Sequence, residues 1–138
     1  MKKIVVHTDG GARGNPGPSG IGISITSDTG EVISEVSEYI GEGTNNVAEY
    51  TAVKRACLEL EHILKNPKES EVAFFLDSQL VERQLNGVYK IKEPTLQVLA
   101  GEVQQLRTLF WKTTFTYIPR EQNKRADELA NQAMDNAK

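Results

Sequence analysis

The sequence predicts an α/β fold: a mixed five-stranded sheet flanked by helices, with element order βββαβααβα. Three observations predict it. Three successive segments near the start alternate apolar and polar residues, as half-buried strands do. The apolar spacing then changes to that of a helix at about residue 47. Beyond it, short apolar runs alternate with helical stretches, as in strands joined through helices.

The elements follow in order. Residues 3–9 are β-branched and alternating, which predicts a first strand. "GIGISITSD" (20–28) alternates Ile21, Ile23 and Ile25 with small or polar residues. "EVISEVSEYIG" (31–41) puts Val32, Ser34, Val36 and Glu38 on one face. Asp28-Thr29-Gly30 between the two is a hairpin signal. The glycines after Asp9 predict a tight connection into an antiparallel neighbour, with the backbone left bare for close approach. Pro16 and Pro18 lack N–H donors, and a strand follows instead of a helix. Both facts argue against a phosphate-cradling glycine loop.

From Val47 to Leu64, Val53, Ala56, Cys57, Leu60, Ile63 and Leu64 fall at helical spacing. Asn46 and Glu49 resemble a capping box at its start. "NPKES" (66–70) ends this helix, and "EVAFFL" (71–76) reads as a strand covered on both faces. "SQLVERQLNG" (78–87) is a helix closed by Asn86-Gly87. "YKIKE" leads to a helix from about Pro94 to Leu109, with Pro94 suited to its first turn. "TTFTYI" (113–118) is a strand, "PREQN" a loop and "KRADELANQAMDNAK" (124–138) the last helix. No repeat, low-complexity tract or linker interrupts the pattern, so one domain spanning 1–138 is expected.

Composition narrows the class. Hydrophobic residues are 38% and charged residues 25%, ordinary for a globular domain. No apolar run approaches the ~20 residues that span a bilayer, and no membrane association is expected. "MKKIVVHTDG" lacks a small-residue cleavage site, so a secretory signal is not expected. Cys57 is the sole cysteine, which excludes an internal disulfide and a cysteine-rich zinc site. A cytoplasmic location is expected. The net charge of −3 and pI of about 5.4 argue against a surface that grips nucleic acid everywhere. They leave room for an acidic site neutralised by metal ions.

Four carboxylates stand out by position. Asp9 lies on the first strand, and Asp77 directly follows "EVAFFL". Glu49 is in the first turn of the long helix, and Asp127 is near the start of the last. Strand ends and the helix starts that follow them gather at one edge of an α/β sheet. Glu49 is also in phase with Val53, Ala56 and Leu60, so it faces the sheet. Taken singly, each has an ordinary explanation: a capping box for Glu49, a helix cap for Asp77, dipole complementation for Asp127, loop entry for Asp9. Gathered together, four carboxylates repel unless cations lie among them. Hard oxygen ligands suit Mg²⁺ or Mn²⁺, and a pair of such ions is the apparatus of in-line phosphodiester cleavage.

The stretches "TDGGARGNPGPSGIG", "TNNVAEY", "FLDSQLV" and "NKRADELAN" resemble the type 1 ribonuclease H family, and the resemblance covers essentially the whole chain. It implies the ribonuclease H-like fold. It also implies cleavage of the RNA strand of RNA–DNA hybrids by two Mg²⁺ ions, with Mn²⁺ as a second candidate, leaving 5′-phosphate and 3′-hydroxyl ends. By the resemblance, Asp9, Glu49, Asp77 and Asp127 are both the metal ligands and the catalytic set. Asp9 would bridge both ions, Asp127 would share the ion that activates water, and Glu49 and Asp77 would hold the other. Gly10, Gly11, Asn15, Asn45, Asn46 and Gln79 would line the groove that reads 2′-hydroxyls, the groups that distinguish RNA from DNA. Thr44 would help hold a DNA-strand phosphate. Helix capping for Asn45 and Asn46, a turn for Asn15 and plain helix surface for Gln79 are the alternatives. The implied partner is an RNA–DNA hybrid, with double-stranded RNA as a further candidate, and the implied state is a monomer.

Two departures from the family pattern matter. Some members carry a basic, tryptophan-bearing protrusion, where this chain has only "GVYKIKEP". Several have a histidine in the loop before the last aspartate, where this chain reads "IPREQNK"; Arg120, Glu121 or Lys124 could substitute. Both departures motivate a second hypothesis, a weak or inactive module that only binds hybrid or double-stranded RNA. His7 and His62 read as structural or surface residues, Cys57 as core, and Phe110 and Trp111 as packing residues.

Overall fold

The computed structural model describes residues 2–137; Met1 and Lys138, the ends of the expected domain, lie outside the described residues. Its elements are β1 (Lys2–Ala12), β2 (Gly17–Ser27), β3 (Val32–Gly43), α1 (Asn45–Ile63), β4 (Ser70–Leu76), α2 (Gln79–Leu85), α3 (Pro94–Leu106), β5 (Lys112–Tyr117) and α4 (Lys124–Asp135). The expected order βββαβααβα is the order found, with short 3₁₀ turns between some elements. The five strands form one sheet in the order β3-β2-β1-β4-β5. The first three are antiparallel neighbours, while β4 runs parallel to both β1 and β5. Among the described residues, no helix is long and apolar enough to cross a membrane.

Alternation along the strands decides which face is buried by what. Ile4, Val6, Ile21, Ile23, Ile25, Phe74 and Leu76 are buried with Tyr50, Val53, Cys57 and Leu60 of α1 in one apolar core. At about 25 cal/mol per Å² of apolar surface removed from water, such side chains each contribute roughly 1.5–3 kcal/mol. Helix α3 packs on α1 and adds Leu96, Ala100 and Val103 to that core. The opposite face of β1, β2 and β3 is covered by α4 through Ala126, Leu129, Ala130 and Ala133.

The glycines have a different role from the expected bare connection. Gly10, Gly11 and Ala12 continue β1 as paired residues, and residues 13–16 alone make the turn. A Cβ on Gly10 would lie 2.3 Å from the Ala48 carbonyl of α1. One on Gly22 would lie 2.1 Å from the Ala126 oxygen of α4. These glycines are seats for helix backbones, which needs a residue without a side chain.

The start of α1 corrects the capping-box expectation. Thr44 is the N-cap, its Oγ1 accepting from the Val47 N–H at 3.3 Å. Asn46 and Glu49 are already inside the helix, so neither asparagine caps it. Ser78 caps α2, which removes the capping reading of Asp77. Cys57 and Phe110 are buried as expected, while Trp111 is 55% exposed. His7 stacks on Phe75, and His62 is exposed in the last turn of α1.

Candidate metal centre

The parallel pairing of β1 with β4 begins the site. Thr8 lies opposite Leu76, so the next residue on each chain, Asp9 and Asp77, emerges at the same sheet edge. Glu49 reaches that edge because Gly10 admits the α1 backbone at Ala48. Oxygens of Asp9, Glu49 and Asp77 all lie within 4.8 Å of one another. Asp9 is 8% and Glu49 7% exposed. The Gly10 N–H donates to Asp9 Oδ1 at 3.0 Å and to Glu49 Oε1 at 3.2 Å, orienting both carboxylates. Glu49 Oε2 is buried without a hydrogen-bond partner among the described residues.

This crowding changes the acid–base behaviour of the groups. Burial pushes the Asp9 carboxyl up to about 7; its contact with Glu49 works downward, and Asp77 and Asp127 push further up. Burial raises Glu49 well above the carboxylate range, with Asp9 and Asp77 adding to it. Asp77 is raised too, first by burial, while Asn123 and Arg120 oppose the shift. The set is therefore reluctant to carry its full negative charge alone. A hard divalent cation would remove that reluctance, and an all-oxygen donor set with one buried, unpartnered oxygen suits such an ion.

Asp127 stands apart from the close three. It lines the same cleft from α4, and Arg120 donates to its Oδ1 at 3.3 Å. The cleft measures about 390 Å³ and is also lined by Gly10, Gly11, Asn45 and Asn46. Asn15, Thr44 and Gln79, expected in the groove, do not line this cleft. Asn15 braces it from behind: its Oδ1 accepts the Asn45 N–H at 3.0 Å. Asn45 Oδ1 in turn accepts the Ala12 N–H at 2.8 Å, leaving its amide hydrogens as the free group. Thr44 spends its hydroxyl on the cap, and Gln79 is exposed in the first turn of α2.

Arg13, Ser78, Asn131 and Met134 also line the cleft and were not singled out from sequence. Arg13 donates to Asn131 Oδ1 at 3.3 Å and pairs with Asp135, tying the β1–β2 turn to α4. Asn131 lies four residues after Asp127, hence on the same helix face, and that spacing was available in the sequence. Arg125 is committed to Glu35 through two bonds of 2.7 Å.

The chain matches the family model described as "Reverse transcriptase-like" over residues 7–133. It is 41% identical over 136 residues to the "Bifunctional protein Rv2228c" of Mycobacterium tuberculosis, covering 98% of this chain and 36% of that protein. The chain thus spans about a third of the length of the mycobacterial relatives it matches. It is 32% identical to "Ribonuclease H" of Hydrogenovibrio crunogenus, covering 98% of this chain and 97% of that protein. Among solved structures, LC11-RNase H1 in complex with an RNA/DNA hybrid superposes with a TM-score of 0.91 at 48% identity, with 96% of each chain covered. The chain belongs to the type 1 ribonuclease H family.

Proposed function

We propose that residues 1–138 form one ribonuclease H domain that acts as a monomer and as an endonuclease, cleaving the RNA strand of RNA–DNA hybrids by a two-metal-ion mechanism and leaving 5′-phosphate and 3′-hydroxyl ends. The observation that carries this reading is the buried group of Asp9, Glu49 and Asp77 at the wall of a cleft, with Glu49 Oε2 unpartnered. Asp9, Glu49 and Asp77 would hold the divalent ions, Mg²⁺ or Mn²⁺, with Asp127 joining from α4. A pair of such ions supplies the activated water and the charge that stabilises the leaving oxygen.

The chain's own residues do the rest. The Gly10 N–H fixes the orientation of two ligand carboxylates before anything binds. The Asn45 side chain has its oxygen occupied, so it offers donors to the groove of the duplex. Arg120 is the cation beside Asp127, in the loop where some relatives carry a histidine. Gly11 also lines the cleft, and a Cβ there would meet nothing nearer than 3.8 Å, so a backbone of RNA can approach closely at that point.

Cleavage of labelled RNA–DNA hybrid, double-stranded RNA and double-stranded DNA, each with Mg²⁺ and with Mn²⁺, tests the proposal. Cutting of the hybrid's RNA strand is expected. The eight-residue connection 86–93 between α2 and α3 is the observation that favours the competing hybrid- or double-stranded RNA-binding module. Binding of those duplexes without cutting under either metal would establish that module instead.

A further inference from the structure

Asn123 precedes α4 and is 1% exposed. It sits where a helix cap would, yet its side chain makes no cap bond. Its Nδ2 instead donates to the Thr8 carbonyl at 2.8 Å, and Thr8 directly precedes Asp9. Its backbone carbonyl accepts the Asp127 N–H at 3.1 Å, and its own N–H donates to the Arg120 carbonyl at 2.9 Å. One buried residue thus joins the segments carrying two of the four carboxylates, Asp9 and Asp127. Its Oδ1 is buried without a hydrogen-bond partner among the described residues. A space-filling residue gains nothing from an unpaired buried acceptor, which costs stability wherever it occurs.

We infer that Asn123 is a positioning residue, which locks the start of α4 to the end of β1 and so sets the metal-binding geometry. No regular element performs this task. The segment 118–123 is irregular apart from one 3₁₀ turn, Arg120–Gln122. Without the Asn123 side-chain bond, the approach to Asp127 would rest on local turns and on the bond from the Ile118 N–H to the Leu76 carbonyl at its far end. Groups that orient metal ligands from behind typically change metal affinity by about 10–100-fold when removed.

The inference rests on the metal-centre reading above, and direct metal binding separates the two. Mn²⁺ is titrated calorimetrically, without nucleic acid, into the wild type, Asn123→Ala and Val103→Ala, a core variant away from the cleft. Asn123→Ala is expected to bind Mn²⁺ about 10–100-fold more weakly. Its kcat on hybrid should fall while KM stays within about 2-fold. Val103→Ala should lose thermal stability without either change. Unaltered Mn²⁺ affinity in folded Asn123→Ala overturns the inference and leaves the metal centre standing. If Asn123→Ala does not fold at the assay temperature, Asn123→Ser, whose donor is too short for the Thr8 carbonyl, is measured instead, and wild-type affinity there overturns it equally. A wild type that binds no Mn²⁺ overturns the metal-centre reading and this inference with it.

Discussion

Helices α1 and α4 lie on opposite faces of the same sheet, and each brings one carboxylate to the same edge, yet they do so differently. Helix α1 is embedded: Tyr50, Val53, Ala56, Cys57 and Leu60 are fully buried, and Glu49 shares their side of the helix. Helix α4 docks by small residues, Ala126, Ala130 and Ala133, against strand glycines, and its Asp127 is part-exposed beside Arg120. Glu49 is therefore placed by the core itself, whereas Asp127 is placed by backbone proximity and the loop before it. A buried carboxylate held by packing makes a rigid but electrostatically costly ligand. A part-exposed one has freedom to move when substrate or product does.

That contrast can be broken first at the residue both helices converge upon. Asp9→Asn should lower hybrid cleavage on the order of 10³-fold or more while the circular-dichroism spectrum stays unchanged. Wild-type cutting by the purified variant would remove Asp9 from the proposed centre. The two helices should then separate: Glu49→Gln should cost on the order of 10³-fold in kcat and Asp127→Asn only on the order of 10-fold. Equal losses in single-turnover assays would erase the distinction drawn here.

The docking of α4 is open to a stability test. Gly22→Val should destabilise the fold by about 3 kcal/mol in urea unfolding, because its Cβ would meet the Ala126 oxygen at 2.1 Å. A neutral result would mean that α4 can lift from the sheet without loss.

The acidic edge also predicts a pH dependence. The folded-state pKa of Asp9, about 7, lies above its ordinary value of 3.8, so folding favours the protonated form. Metal-free protein should accordingly be most stable below about pH 4 with respect to this group, and lose that stability as pH rises through about 7. Glu49 acts in the same direction. Thermal melts in chelator should show Asp9→Asn more stable than wild type at pH 8, on the order of 1–3 kcal/mol, and little different at pH 4. Added Mg²⁺ should stabilise the wild type more than the variant. The smallest effect concerns the start of α1: Thr44→Ala should cost about 1 kcal/mol in urea unfolding, and Asn46→Ala no cap energy. Equal losses would restore the discarded capping box.

Much of this arrangement was legible along the chain because its signals are local. Alternation marked the first three strands, the change of period marked α1, and the phase of Glu49 with Val53 and Ala56 already turned it toward the sheet. Asp9 and Asp77 could be set at one edge because strand ends in such folds share an edge. Local signals failed where two segments had to fit each other. Gly10, Gly20 and Gly22 looked like connection and strand glycines, and their helical partners lie far along the sequence. Asn45 looked like a reader or a cap and Asn15 like a reader or a turn residue, yet Asn15 Oδ1 accepts the Asn45 N–H and Asn45 Oδ1 accepts the Ala12 N–H, bracing the β1–β2 turn.

The sequence by itself determined the element order, the apolar stripe of each element and four carboxylates at strand ends and helix starts, since periodicity and turn chemistry act between near neighbours. Only the tertiary structure decided which three carboxylates meet within 4.8 Å, which helix rests on which glycine and which buried asparagine ties β1 to α4. Those outcomes depend on close packing and on hydrogen bonds between residues as far apart as Thr8 and Asn123, whose partners no local pattern names.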